Sequence, residues 1–318
     1  MTGTLLSLGS INADFQVRVQ APPGQAETLQ AHDFARLSGG KAANTAYLGA
    51  LFGLDSQLLG RVGDDELAHQ ALAPLQKAGV NIGGVSRSRR CATAVSMIMV
   101  PPDGKKQIVL AGNANEDWDE AATQAVLASI AAAPYPACLV VDYEIPACVA
   151  DRAIALAISR QVPVVLDPSF ADRIDPCRLA GVTAITPNGE EAAQLVDTRI
   201  DSPKQAAQAA KTLFARGVGL ACIKLGDGGA IMAHDQGVFH IPAGDVSMVD
   251  STGGGDAFTG VLAIALLKGF TPLQAVCWAV AAADLAVTGY GSQPAYAGPQ
   301  QVGELAARRL LQVSRLND

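Results

Sequence analysis

Short apolar runs alternate along this chain with longer segments whose apolar residues recur at helical spacing, and that rhythm admits few architectures. Leu5 to Leu8, Gln57 to Val62, Cys138 to Val141, Val162 to Leu166, Val182 to Ile185 and Leu220 to Lys224 read as strands. Among them Lys41 to Leu51, Glu66 to Ala78, Ala147 to Ser159 and Ser202 to Ala215 read as helices, the first two stopped by Gly53 and Gly79. Strands alternating with helices in this way imply a parallel sheet covered on both faces. With 318 residues, 49% of them hydrophobic, the chain can bury one large core.

Three segments break the rhythm. Phe15 to Val19, Thr93 to Val100 and Gln107 to Leu110 alternate apolar and polar residues, at least in part, and Pro101-Pro102-Asp103-Gly104 makes a turn between the last two. They predict half-exposed antiparallel strands in a small sheet that closes over the main body. The expected fold class is thus a three-layer α/β/α parallel-sheet core with a small antiparallel β-sheet lid. The core takes 1–14, 39–92 and 118–318, and the lid 15–38 and 93–117. An open lid face with apolar residues needs a cover, so a homodimer through the lid is expected.

The charge balance removes several function classes. A formal net charge of -7 with only a short patch at Arg87, Arg89 and Arg90 argues against a nucleic-acid partner. The cysteines at 91, 138, 148, 177, 222 and 277 show no CxxC spacing, which predicts reduced thiols in a cytoplasmic protein. Thr4 to Gly9 carries no positive leader and reads as a strand, not a signal peptide, and the apolar runs from Ala257 to Leu267 and Ala275 to Val287 are too short for a membrane span.

Val249-Asp250-Ser251-Thr252-Gly253-Gly254-Gly255-Asp256 carries the chemistry: three glycines deliver a carboxylate onto the first turn of an apolar helix, Asp256 to Leu267. The first turn of a helix has unpaired N–H groups and the positive end of the dipole, and glycines let a phosphate approach without meeting a Cβ. Asp256 would then sit where a transferring phosphoryl group and an acceptor hydroxyl meet. Alone, GGGD reads equally well as a tight turn with a capping aspartate.

Other polar residues stand at strand ends, where a parallel sheet gathers its ligands. Asn12 and Asp14 follow the first strand, and Gly39, Gly40, Lys41 and Asn44 open the first helix. Their donors and acceptors suit a ring of hydroxyls, although each also fits a turn, a surface cation or a solvated helix position. Glu144 follows the strand at Cys138. Asn188 and Glu191, three apart at a helix start, suit a hydrated Mg²⁺ or simply complement the helix dipole. Lys224 to Gly229 either passes over nucleotide phosphates or turns a hairpin.

Taken together and in this order, the motifs resemble the ribokinase-like (PfkB-type) carbohydrate kinases over nearly the full length, from Gly9-Ser10-Ile11-Asn12-Ala13-Asp14 to Gly291-Ser292-Gln293-Pro294. The ribokinase branch is nearest. The resemblance implies ATP-dependent phosphorylation of a hydroxymethyl oxygen of a sugar, ribose first. It makes Asp256 the catalytic base and Gly253, Gly254 and Gly255 the anion hole. It gives the sugar to Asn12, Asp14, Gly39, Gly40, Lys41, Asn44 and Glu144. Asn188 and Glu191 would serve Mg²⁺ and phosphate, with Glu191 acting through water, and Lys224, Gly226 and Gly229 the nucleotide. Asp250 and Thr252, with backbone oxygens near Ala286, Gly289, Gly291 and Ala295, match a monovalent-cation site, which implies activation by K⁺.

Ala42 departs from the family's GGKGAN and Ala68 from the glycine usual after Gly63 to Leu67, without removing a polar group. Asp142 to Pro146 and Gly112 to Asn115 are less standard, which leaves a kinase of another sugar or of a nucleoside as the alternative. A sugar-binding or regulatory protein without turnover is a third reading. No GxGxxG follows the first strand and no GxxxxGK[ST] occurs, which sets aside dehydrogenases and P-loop enzymes.

Overall fold

The computed structural model describes residues 3–22, 24 and 28–316. The chain runs β1 (Thr4–Leu8), β2 (Asn12–Arg18), β3 (Ala35–Gly39), α1 (Lys41–Leu51), β4 (Asp55–Gly63), α2 (Glu66–Lys77), β5 (Asn81–Ser88) and β6 (Ala94–Val100). It continues with β7 (Gln107–Ala111), α3 (Glu120–Ala132), β8 (Ala137–Asp142), α4 (Ala147–Ser159), β9 (Val164–Asp167), β10 (Ala184–Ile185), α5 (Gly189–Val196) and α6 (Pro203–Ala215). The remainder is β11 (Leu220–Lys224), β12 (Ala230–His234), β13 (Gly237–Ile241), α7 (Gly254–Leu267), α8 (Pro272–Ala286), α9 (Pro299–Leu310) and β14 (Ser314–Leu316).

The continuous apolar runs become the middle of a ten-stranded sheet ordered β14-β13-β12-β11-β10-β9-β8-β1-β4-β5. From β5 to β11 every pair is parallel, with Leu8 opposite both Leu59 and Val141. Residues of β1 and β8 are buried on both faces, as strands sandwiched between helix layers must be. At one edge β11 to β14 turn antiparallel. The short connections from β11 to β12 and from β12 to β13 leave no room for the crossover that a parallel pair requires, so the Lys224 to Gly229 loop does turn a hairpin, whereas β14 returns to β13 only after α7, α8 and α9.

The alternating segments pair in a second sheet of order β3-β2-β6-β7. Its outer pairs are antiparallel, but the central β2–β6 pair is parallel. The reason lies in the connectivity: the chain leaves through α1, β4, α2 and β5 before it returns, and so re-enters in the same direction. The inner face brings Asn12, Asp14 and Gln16 of β2 and Ser96 of β6 into burial over the carboxyl ends of the main strands.

α7 is the innermost helix. It is apolar nearly all round, with Ala257, Phe258, Val261, Leu262, Ala263 and Ile264 buried, which is the pattern of a helix without a solvent face. Phe258 is among the largest fully buried side chains. Burying such a ring stabilises by about 2–3 kcal/mol. That packing fixes where the first turn of α7 points.

Candidate active site

α7 begins at Gly254, two residues before Asp256, with Gly253 as its cap. The cap has φ 77°, and a Cβ there would stand 2.6 Å from the Cβ of Ser292, so both conformation and space demand glycine. The first bond of the helix joins the N–H of Ala257 to the carbonyl of Gly253 at 2.8 Å. The amides of Gly255 and Asp256 therefore precede the helical ladder, and that of Gly254 makes only a long 3.4 Å bond to Ser251 O. Such amides form an anion-binding cradle.

The Asp256 carboxylate is held from α1. Asn44 Nδ2 donates to its Oδ2 at 2.7 Å, and Lys41 Nζ lies 3.4 Å from Oδ1. Asn44 is 3% exposed, and its own Oδ1 accepts from Ser292 Oγ and Gln293 Nε2, so it is not a solvated helix position. Nor is Lys41 a surface cation. Its ammonium also pairs with Asp167 Oδ1 at 3.2 Å. Burial opposes that charge, but Asp167, Asp256, Glu144 and Glu191 outweigh it and hold the ammonium well above its usual range.

On the lid side Asn12 is oriented by two neighbours: Nδ2 donates to Ser96 Oγ at 3.1 Å and Oδ1 accepts from Asn115 Nδ2 at 2.8 Å. Asp14 is buried and its Oδ1 has no partner. Burial pushes its carboxyl up to about 7; a Ser96 hydrogen bond opposes this, and the charges of Asp256 and Glu144 add to it. Gly39 makes room for it, since a Cβ there would stand 2.0 Å from Asp14 Oδ2. At the end of β8, Asp142 accepts from the N–H groups of Ser10 at 3.1 Å and Glu144 at 2.9 Å. Burial and the charge of Glu144 raise the carboxyl of Asp142 well above its usual range; burial raises that of Glu144, Lys41 and a Ser10 hydrogen bond oppose it, and the charges of Asp256 and Asp167 add to it.

On the opposite side, Asn188 and Glu191 form a capping box at the start of α5. Glu191 N–H donates to Asn188 Oδ1 at 2.9 Å, and Asn188 N–H donates to Glu191 Oε2 at 2.8 Å. Lys224 Nζ lies 3.4 Å from Asp167 Oδ2 and would meet a Cβ on Gly255 at 3.5 Å. The turn beyond it is open, with nothing within 4 Å of the Cβ position of Gly226.

A model of the family described as pfkB family carbohydrate kinase matches residues 3–297. The chain belongs to the PfkB family of carbohydrate kinases. As a PfkB kinase it is an ATP-dependent phosphotransferase, with the α/β/α core and small lid sheet of the ribokinase-like fold. It is 31% identical over 300 residues to a ribokinase of Arabidopsis thaliana, covering 91% of this chain and 77% of the relative. It is 29% identical over 304 residues to a deoxyribokinase of Salmonella typhi, covering 93% and 96%. The structure of the Arabidopsis thaliana ribokinase complexed with ribose and ATP superposes with a TM-score of 0.80 at 28% identity, covering 96% of this chain and 99% of the other.

Three residues of this PfkB site escaped the sequence reading. Asp167 bridges Lys41 and Lys224. Thr259, one turn along α7, places its hydroxyl 3.0 Å from Asp167 Oδ2, and Asp142 ties β1 to β8. Asp142 and Asp167 each end a core strand and pair in register, so the strand-end rule that found Asn12 would have found them.

Among the described residues no group of three or more His, Cys, Asp or Glu side chains could hold a metal. A hydrated Mg²⁺ needs less, because it keeps its waters and uses one or two carboxylates with substrate phosphates. The second oxygen of Glu191 fits that role. The carboxylate of the monovalent-cation site leaves a cation little room. The Asp250 carboxylate is fully buried; Oδ1 accepts from Thr252 N–H at 2.9 Å and Thr252 Oγ1 at 2.6 Å, and Oδ2 from Gly291 N–H at 2.9 Å and Gln16 Nε2. Its four acceptor positions are filled by the chain itself.

Proposed function

We propose that this PfkB kinase phosphorylates the hydroxymethyl oxygen of a pentose, with ribose the first candidate. The observation that carries the reading is the bracketing of Asp256: the α7 amides lie on one side, the buried polar residues under the lid on the other, and Lys41 spans to Asp167. Asp14, with one unpartnered oxygen in an otherwise packed wall, is the acceptor for sugar hydroxyls. Asn12 stands pre-set by Ser96 and Asn115, and Gly39, Gly40 and Glu144 complete the pocket.

Asn44 aims the Asp256 carboxylate at the attacking hydroxyl, which it orients and whose proton it takes late in a loose transition state. The amides of Gly254, Gly255 and Asp256 meet the charge on the transferring group, and Lys41 and Lys224 add theirs. Mg²⁺, when bound, would neutralise phosphate charge, held through water by Glu191. The nucleotide lies along Lys224 to Gly229, where Gly226 keeps the path clear and Gly229, at φ 71° and with Ile241 O 2.5 Å from where its Cβ would stand, lets the turn close.

ADP release is the test, measured with Mg²⁺ and a panel of ribose, deoxyribose, fructose, 2-keto-3-deoxygluconate, adenosine and inosine. Ribose-dependent turnover supports the reading. Turnover with another acceptor alone keeps the kinase and moves its substrate. Silence with ligand-induced stabilisation retained would favour a sugar-binding protein. Free cysteines and the absence, among the described residues, of a helix able to cross a membrane accord with cytoplasmic work.

The outer lid face supports a homodimer. Met97 of β6 pairs across to Val109 of β7 and Phe15 of β2, and Phe34 stacks on Phe15 at 5.9 Å. Met97, Val109 and Phe34 are 60–66% exposed, an apolar face that a second lid would cover. A monomer at high concentration in a solution size measurement would remove that part of the proposal.

A further inference from the structure

The residues that fill Asp250 come partly from the lid, and they are not the whole of the connection. Gln16, fully buried on the inner face of β2, donates its amide to Asp250 Oδ2. In the β6–β7 connection, Gly104 O accepts from Ser251 N–H at 2.9 Å. Two residues on, Lys106 Nζ donates to Ser251 O at 2.8 Å, and its backbone N–H lies 3.4 Å from Ser251 Oγ. The lid thus holds both peptide groups of Ser251 and the side chain of Asp250. These residues open the segment that ends in the Gly253–Gly255 cradle.

A cation bound at Asp250 would stabilise this loop by satisfying carbonyl and carboxylate oxygens at its start. Here the Asp250 carboxylate oxygens and Ser251 O already have donors, and the donor to Ser251 O is an ammonium. We propose that Gln16 and Lys106 are positioning residues that do from the lid what a monovalent cation would do from the core, so that turnover needs no K⁺ and the cradle assembles only when the lid is down. The inference rests on the kinase reading for its rate effects but not for its structural ones. A neutral lid residue at 106 would leave Ser251 O without its charged donor, and an apolar residue at 16 would remove a neutral donor from a buried carboxylate and free one position that a cation could take. Lid closure would couple sugar enclosure to the phosphate cradle through these bonds from Gln16, Gly104 and Lys106 to Asp250 and Ser251.

The test compares wild type, Gln16→Val, Lys106→Met and Lys106→Arg in KCl, NaCl and choline chloride at equal ionic strength, reading turnover, melting temperature and hydrogen exchange of the 250–256 amides. Wild type is expected to show equal turnover and melting temperature in all three salts. Lys106→Met is expected to lose about tenfold to a hundredfold in kcat, the worth of a hydrogen bond to a charged group, with sugar KM kept. Lys106→Arg restores most of it. Gln16→Val is expected to gain a K⁺-specific rise in melting temperature and turnover. Wild-type turnover that collapses in choline overturns the proposal, as does unchanged exchange of the 250–256 amides in both Gln16→Val and Lys106→Met. If no acceptor is phosphorylated, the kinase reading fails, while melting and exchange still decide this one.

Discussion

The two sides of Asp256 are built differently. On the acceptor side Asn12, Asp14, Asn44 and Asp142 are each at most 4% exposed, and most of their polar atoms are tied to one another or to backbone amides. On the donor side Asn188 is exposed, Glu191 is bonded only within its own capping box, and the hairpin at Gly226 stands clear of neighbours. One half is packed as core and was shaped by folding; the other is surface, which on the proposed reading the nucleotide completes. Polar groups buried as core cannot be exchanged without leaving a partner unpaired, whereas surface groups can. On the proposed assignment, specificity for the sugar is bound to the stability of the fold, and nucleotide affinity is not.

The largest effect should fall at the seam between the halves. Asp256→Asn is expected to lower kcat by at least ~10²-fold while the melting shifts produced by sugar and by ATP remain, because only the proton acceptor is lost. Near-normal turnover would reassign the base. Next comes Gly253→Ala, which must adopt φ near 77° with its Cβ 2.6 Å from Ser292. It should cost about 1–3 kcal/mol in urea unfolding and lower kcat as well, since the cradle amides shift. Stability lost with kcat intact would mean that these amides do not hold the phosphoryl group.

The same contrast governs what the sequence disclosed. The strand and helix rhythm found most of the core elements because both-face burial leaves uninterrupted apolar runs. It missed the antiparallel edge at β12 to β14 and the parallel β2–β6 pair, since direction depends on connections, not on periodicity. Asn44 and Lys41 stood out as candidates for the sugar, although each also fitted an ordinary helix position; only the packing of α1 against α7 reveals that they converge on Asp256. Asp167 escaped because the apolar run was ended at Leu166, one residue short of the strand end at which the rule that found Asn12 applies. Gln16 and Lys106 carried no signal at all, as their partners lie 234 and 145 residues away.

A finer probe of the acceptor side is pH. With the carboxyl of Asp14 raised to about 7, the free enzyme binds a proton there that the unfolded chain releases near the ordinary value of 3.8. The associated stability is full below that ordinary value and is lost as pH rises through about 7. Asp14→Asn should therefore be more stable than wild type above pH 7, and an inflection near 7 in kcat/KM for the sugar should vanish in it. An unchanged inflection would move the titrating group elsewhere.

The smallest effect is expected across the seam. Asn188→Ala removes one cap from α5, worth about 1 kcal/mol, and should lower the melting temperature by about 2 °C. Because Asn188 and Glu191 bond to each other and not to the acceptor pocket, the ATP KM should rise a few-fold as Glu191 loses its orientation, with the sugar KM unchanged. A sugar KM that moves as far as the ATP KM would break the division between a packed half and an open one. It would mean that Glu191, whose charge reaches Lys41, transmits its position through that ammonium to Asp256.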